Sequence, residues 1–249
     1  MTVLLRGKKA GLGALFGLCA LPCAWATPLA AYTEEWPPYN YAEGKEVKGI
    51  STDILRAACA IAKLQCTFQV VPWARAYKTA SHVPNTVVYT TARKPSREKE
   101  FLWVGPILPR TTWVYGNTAQ TQSVRDFKDL AKIRIGVVRE EAAQQDLEAV
   151  GVPPSAFTVQ SSNADVLRTL TNGSVDAMVD TEVGMAWNLR NAGIAPSTVS
   201  KLMKLTDGGA YYFALNLNSD AALVKGLQAA IDKLRREGKI DAIQRQYIK

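Results

Sequence analysis

Short β-type apolar segments and longer segments with apolar residues at helical spacing alternate along this chain. Short segments rich in β-branched and aromatic residues predict strands over residues 28–33, 66–71, 86–90, 112–115, 133–138, 156–159, 175–179 and 211–217. Apolar residues at helical spacing predict helices over 52–64, 163–172 and 219–238, with Ser51 and Ser219 as the expected N-caps of the first and last. The alternation of strands and helices predicts an α/β fold built of packed layers.

The first 26 residues have the pattern of a cleavable export signal. Three basic residues precede an apolar run over 10–21, and the segment closes on Ala24-Trp25-Ala26. The apolar run is shorter than the roughly 20 residues that a membrane-spanning helix needs. We therefore predict an exported protein that is soluble after cleavage and does not span a membrane.

Charge is modest and scattered. The whole chain has a formal net charge of +8, and removal of residues 1–26 would lower it to +5. Lysine and arginine are interspersed with acids, so the pattern does not favour a nucleic-acid partner and better fits a ligand with an anionic group. With His82 as the single histidine, we expect neither a metal site nor a cofactor.

Cys59 and Cys66 are the two cysteines that remain after the signal. An exported protein meets an oxidising compartment, where a disulfide persists, so we expect these two residues to be bonded. Two separately buried thiols are the alternative.

A polar segment in mid-chain predicts a division into two lobes. Residues 116–124 are loop-like, and a second flexible stretch at Asp207-Gly208-Gly209 precedes the last predicted strand. If both neighbouring strands cross between lobes, the first lobe is discontinuous and comprises residues 27–115 and 210–249. The second lobe, residues 116–209, is then an insertion.

Six motifs follow one another in a characteristic order: YTEEWPPYNY, VKGISTDIL, VVPWARAYKTA, TTARKPSREKEFLWVGPI, GSVDAMVDTEVG and YYFALNLNSDAALVKGLQAAIDKLRREGKI. Together they resemble the polar amino-acid type of periplasmic solute-binding protein, bacterial extracellular solute-binding family 3, over essentially the whole mature chain. The resemblance implies a type 2 periplasmic-binding fold, in which two lobes joined by two crossing strands close around a small polar ligand. It also implies a periplasmic, monomeric protein that catalyses nothing and delivers its ligand to the membrane subunits of an ABC transporter.

The resemblance places Arg97 where family members grip a ligand carboxylate. A guanidinium matches a carboxylate with two parallel hydrogen bonds, which a lysine does not reproduce. Without the resemblance, the charged neighbours of Arg97 would indicate a solvated segment. Thr90 and Thr91 end the preceding strand and are expected at the same anionic group, while Arg93 either assists or faces solvent.

Aromatic and acidic residues complete the expected site, and they are Trp36, Tyr39, Trp73, Glu35, Asp180 and Glu182. The resemblance places aromatic rings against the ligand, with core packing as the alternative that we prefer for Tyr39. Asp180 resembles the acid that pairs with a ligand ammonium, or else caps the helix that follows it. The interval between Asp176 and Asp180 is one residue shorter than in typical amino-acid binders, so Thr181 or Glu182 is an alternative in the cleft.

Departures from the family pattern leave the ligand open between an α-amino acid, another small carboxylate and a cationic ligand held by the aromatic and acidic residues. Ala142 replaces a common carboxylate-binding threonine, and Thr33 replaces a common ammonium-binding acid, with Glu34 and Glu35 adjacent but shifted. Two other functions are alternatives on separate grounds. The same fold hosts a periplasmic cyclohexadienyl dehydratase, for which Glu141 or Glu182 would be the general acid. A ligand sensor for a membrane receptor would have the same binding residues as a transport protein.

Overall fold

The structure is a computed structural model that describes residues 1–2, 28–120 and 123–247. The predicted signal peptide lies outside the described residues except for its first two positions. Ten strands are described: β1 (Pro28–Thr33), β2 (Tyr41–Glu43), β3 (Glu46–Lys48), β4 (Gln65–Val70), β5 (Thr86–Ala92), β6 (Phe101–Asn117), β7 (Ile135–Val138), β8 (Phe157–Gln160), β9 (Ala177–Asp180) and β10 (Val199–Asn216).

Eight α-helices and three short 3-10 helices connect the strands. The α-helices are α1 (Ile50–Ala62), α2 (Trp73–His82), α3 (Phe127–Leu130), α4 (Ala142–Ala149), α5 (Asn163–Thr171), α6 (Glu182–Asn191), α7 (Ala221–Arg236) and α8 (Lys239–Tyr247). The 3-10 helices are Pro95–Arg97, Pro154–Ala156 and Pro196–Thr198. In the part of the chain that the structure describes, no helix is both long and apolar enough to cross a bilayer.

One mixed sheet of eight strands organises the molecule, in the order β4-β1-β5-β10-β6-β9-β7-β8. Within each end of the sheet the strands are parallel, because helices carry the chain back between them. The two long strands β6 and β10 pair antiparallel through the middle. The predicted α/β fold of two lobes joined by two crossing strands is therefore confirmed.

The position of the lobe boundary stays a prediction. Residues Trp113 to Gly116 of β6 pair with β9, which belongs to the second lobe. This pairing favours a crossing a few residues before the predicted boundary at residue 116.

Two predicted helix caps are wrong. Gly49 precedes α1, with φ of 120°, and Ser51 lies inside the first turn, where it is fully buried. A Cβ at Gly49 would lie 2.4 Å from the Tyr39 carbonyl oxygen, so this close approach of the chain requires glycine. At α7 the cap is Asp220, whose carboxylate accepts from the Ala222 amide, and Ser219 lies one residue earlier.

Helices α1 and α7 cover the first lobe, and their apolar stripes form one core with β1 and β5. The predicted disulfide between Cys59 and Cys66 is confirmed, and it ties the end of α1 to the start of β4. These packed elements support the loops at the carboxyl ends of the strands.

Candidate functional site

A small cavity lies between the lobes, with about 30 Å³ open to the centres of water-sized molecules. The first lobe contributes Glu34, Trp36, Trp73, Thr90, Ala92 and Arg97, and the crossing strands contribute Arg110, Thr112 and Tyr211. The second lobe contributes Glu141, Ala142, Ala143, Asn163, Val179 and Asp180. The cavity therefore has walls from both lobes and a floor from the strands that join them.

Sheet topology explains why these residues meet. Strands β1 and β5 run parallel in the first lobe, and β7 and β9 run parallel in the second. Glu34, Thr90, Glu141 and Asp180 lie at or just beyond the carboxyl ends of these four strands, where open α/β sheets bind their ligands.

Arg97 ends the 3-10 helix Pro95–Arg97 and is only 2% exposed. Its Nη2 donates to the Glu140 carbonyl oxygen at 2.9 Å, and its guanidinium lies over the rings of Trp73 and Tyr77 at 5.6 and 5.1 Å. Its Nε and Nη1 have no hydrogen-bond partner among the described residues. Burial lowers the pKa of Arg97, but a guanidinium remains charged in proteins, so the site holds a cation with spare donors.

Two non-glycine residues, one lining the cavity and one beside it, have left-handed backbone conformations. Thr90 has φ of 60° and lies where the pairing of β5 with β10 shifts register, and its hydroxyl donates to Asn40 Oδ1 at 2.5 Å. Glu140 has φ of 61°, and its carbonyl accepts from both Arg97 and the Trp73 indole. Such strained residues cluster at ligand-binding positions, and here Thr90 lines the cavity while Glu140 holds Arg97 through its carbonyl.

Three carboxyl groups line the cavity with Arg97: Glu34 from the first lobe, and Glu141 and Asp180 from the second. Asp180 accepts from the Trp36 indole at 3.1 Å, the Thr181 amide at 2.7 Å and Asn188 at 3.3 Å, yet burial still raises its pKa to about 7. Burial and the nearby Asp180 charge raise the pKa of Glu141 to about 7. Burial and the Glu141 charge raise the pKa of Glu34 well above its usual value. Burial therefore shifts all three pKa values upward, and a cation that joined these carboxyl groups would favour their ionised forms.

A second buried arginine joins the cavity floor to the second lobe. Arg110 of β6 donates through Nη2 to Asp146 of α4, and its Nη1 approaches the Thr206 hydroxyl at 3.4 Å. Lys94 of the first lobe also reaches Asp146, at 2.7 Å, and donates to the Ala142 carbonyl at 3.0 Å. Asp146 is therefore paired with two cations, one at each of its carboxylate oxygens.

Five of the predicted ligand-binding residues lie together at the cavity: Trp36, Trp73, Thr90, Arg97 and Asp180. Of the three alternatives at the second lobe, Asp180 is the residue that lines the cavity. Thr181 caps α6 instead, and Glu182 is exposed and paired with Lys201.

The structure places the remaining predicted site residues outside the cavity. Thr91 donates its hydroxyl to Val88 of its own strand, and Arg93 forms two hydrogen bonds to Glu98 over the Trp103 and Tyr212 rings. Tyr39 is buried behind Trp36, with its hydroxyl donating to Thr181 at 3.1 Å. Glu35 is half-buried and accepts from the Ala42 amide at 3.0 Å, outside this cavity.

Sequence reasoning missed several lining residues, and the signals for them are weak. Glu35 was predicted as a site residue instead of its neighbour Glu34. Arg110 lies in the segment ILPRTTWVY, where a single charge inside a strand is the only local signal. Thr112, Asn163 and Tyr211 look like ordinary strand and helix residues. Their roles depend on how the lobes meet, which local patterns do not specify.

The chain belongs to the bacterial extracellular solute-binding proteins, family 3, whose family model matches residues 29–249. No curated protein matches it in sequence. Solved structures share its two-lobed fold. A histidine kinase sensor domain with similarity to periplasmic binding proteins is 16% identical, with a TM-score of 0.79, covering 89% of this chain and 96% of that one.

Two further structures represent other uses of the fold. An ancestral arginine-binding protein bound to arginine is 16% identical, with a TM-score of 0.78 over 89% of this chain and 98% of that one. An ancestral amino acid-binding protein, AncCDT-1, described as a precursor of cyclohexadienyl dehydratase, is 16% identical, with a TM-score of 0.75 over 89% of this chain and 95% of that one. At these identities the likeness establishes the fold.

Proposed function

We propose that this protein captures a small amino acid or related carboxylate between its lobes in the periplasm and delivers it to the membrane subunits of an ABC transporter. The observation that carries this proposal is Arg97, a buried cation with two spare donor nitrogens that shares the cavity with carboxyl groups from both lobes. A solute with a carboxylate at one end and an ammonium at the other complements both walls.

Ligand binding would favour lobe closure, because the solute contacts groups from both lobes at once. Direct contacts already cross the cleft, from Trp36 to Asp180, from Tyr39 to Thr181 and from Arg97 to Glu140. A ligand that adds bonds to both walls has a higher affinity for the closed form and shifts the population toward it. Membrane subunits that recognise the closed form would then accept loaded protein in preference to empty protein.

A thermal-shift screen of the mature protein against amino acids and small carboxylates tests the binding function. A ligand at 100 times its Kd stabilises the folded state by about 2.7 kcal/mol, which raises Tm by several degrees. For a compound that raises Tm, Arg97→Ala should weaken binding at least about 30-fold in calorimetry, since it removes a buried charged partner.

Arg75→Ala is the matched control, because Arg75 is exposed on α2, the helix that begins with Trp73. It should bind as the wild type does. If no amino acid or carboxylate raises Tm, or if Arg97→Ala binds with unchanged affinity, the proposed site is wrong. Reconstitution with the membrane subunits would distinguish transport from delivery to a sensory receptor.

A dehydratase is the second candidate function, and one observation favours it. Glu141 and Asp180 have pKa values raised to about 7 inside a small cavity, which suits a carboxyl that acts as a general acid at neutral pH. Turnover of prephenate or arogenate, followed by absorbance, would support this function. Binding of amino acids without turnover of either acid would support solute capture.

A further inference from the structure

Glu34 is a buried carboxyl group without a partner. Its residue is 6% exposed and lines the cavity, and no donor in the described part of the chain forms a hydrogen bond or an ion pair with its carboxylate. The one hydrogen bond at this residue runs from Asn40 to the Glu34 backbone carbonyl. Burying a charge without a partner is costly, so this position suits a positive group that arrives from outside the protein.

Asp180, unlike Glu34, already has hydrogen-bond donors around its carboxylate. Its carboxylate already accepts from an indole, a backbone amide and a side-chain amide, so much of its capacity is used before a ligand binds. Glu34 has none of these bonds, and it lies on the first lobe while Glu141 faces the same cavity from the second. Besides burial, the Glu141 charge raises the pKa of Glu34 and the Arg97 charge lowers it, so Glu34 lies within electrostatic reach of both groups.

Counting charges around the cavity gives one negative charge in excess when every group is ionised. The cations are Lys94, Arg97 and Arg110, and the anions are Glu34, Glu141, Asp146 and Asp180. A zwitterionic ligand adds no net charge and leaves the excess in place. A ligand with one additional positive charge balances it, which matters most where water is excluded.

We propose, building on the binding function above, that Glu34 and Glu141 form a cation subsite and that the solute is an amino acid with a positively charged side chain. Its carboxylate binds Arg97, and its side-chain ammonium or guanidinium lies between the two glutamates. The rings of Trp36 and Tyr211 line the same cavity and add favourable contacts for a cation. A cation held between glutamates of opposite lobes would also stabilise closure.

Calorimetry with four probes tests this subsite: L-lysine and L-arginine, against L-norleucine and L-glutamine, whose side chains are similar in length but uncharged. Wild-type protein should bind the cationic pair at least about tenfold more tightly. Glu34→Gln should reduce that preference by about tenfold, by weakening the cationic probes and sparing the neutral ones.

Two more variants complete the test. Glu141→Gln should reduce the preference in the same direction, and it stands in if Glu34→Gln folds poorly. Glu148→Gln, an exposed change on α4, should keep the wild-type preference. These outcomes together would establish the subsite.

Other results would overturn it. Tighter or equal binding of the neutral probes by the wild type, or an unchanged preference in both Glu34→Gln and Glu141→Gln, would remove the cation subsite and leave the proposed binding function intact. Failure of a folded wild-type protein, checked by circular dichroism, to bind any amino acid or small carboxylate would instead overturn the proposed function.

Discussion

Glu141 shows how position sets the charge of a single side chain. It precedes α4 at the cavity wall, and burial together with the Asp180 charge moves its pKa from 4.5 to about 7. The folded protein therefore keeps a proton that the unfolded chain has already released at the same pH. By linkage, stability falls as the pH rises from the ordinary carboxyl pKa toward about 7.

Glu141→Gln should flatten this pH dependence, because an amide does not titrate. We expect the free energy of unfolding of the wild type to decrease between pH 5 and pH 7.5, and that of the variant to decrease less. Urea unfolding followed by tryptophan fluorescence at both pH values measures the difference. Glu148→Gln should retain the wild-type slope, and parallel slopes for Glu141→Gln and the wild type would contradict the pKa shift.

The sequence does not show which of Glu34 and Glu35 lines the cavity. Both are acidic and follow the same strand, so no composition or spacing separates them. The bridge between Trp36 and Asn40 turns the chain so that Glu35 reaches the Ala42 amide and Glu34 faces the cavity. Arg97 could be predicted because its surrounding motif resembles a family pattern, whereas Glu34 depends on a local turn.

Short, locally patterned elements were predicted best. The strand over 28–33 agrees with β1 at both ends, because its apolar run is bounded by the signal and by acidic residues. The strands predicted over 112–115 and 211–217 are parts of β6 and β10, which have 17 and 18 residues. Pro106, Pro109 and the pair Gly208-Gly209 interrupt the sequence pattern, but register shifts accommodate them within the long ladder.

The disulfide between α1 and β4 gives a prediction for the first lobe. Replacing Cys59 and Cys66 together with alanine should lower the free energy of unfolding by about 2.5 kcal/mol, since the closed loop is short. Ligand affinity should stay the same, because the bond supports the side of the lobe away from the cavity residues. Urea unfolding of both proteins, with and without reductant, measures this loss of stability. If the reductant lowers the free energy of unfolding of the double variant as much as that of the wild type, the prediction is contradicted.

At the scale of the whole molecule, Asp146 connects the two lobes and a crossing strand. It belongs to α4 of the second lobe, and it pairs with Lys94 of the first lobe and with Arg110 of β6. Because the Asp146 side chain is nearly buried, it separates two cations that would otherwise repel each other in a poorly solvated place. Both lobes must be close for all three groups to meet.

Asp146→Asn should therefore shift the empty protein toward open lobes. The neutral amide leaves Lys94 and Arg110 without a counter-ion, and separation of the lobes rehydrates Lys94. We expect a larger radius of gyration in small-angle X-ray scattering and weaker ligand binding, because closure then costs part of the binding free energy. Asp232→Asn is the control, because it makes the same charge change on α7, where Asp232 pairs with Arg235 of the same helix. It should leave the radius of gyration and the ligand affinity unchanged. An Asp146→Asn protein as compact and as tight in binding as the wild type would show that this charge group does not contribute to closure.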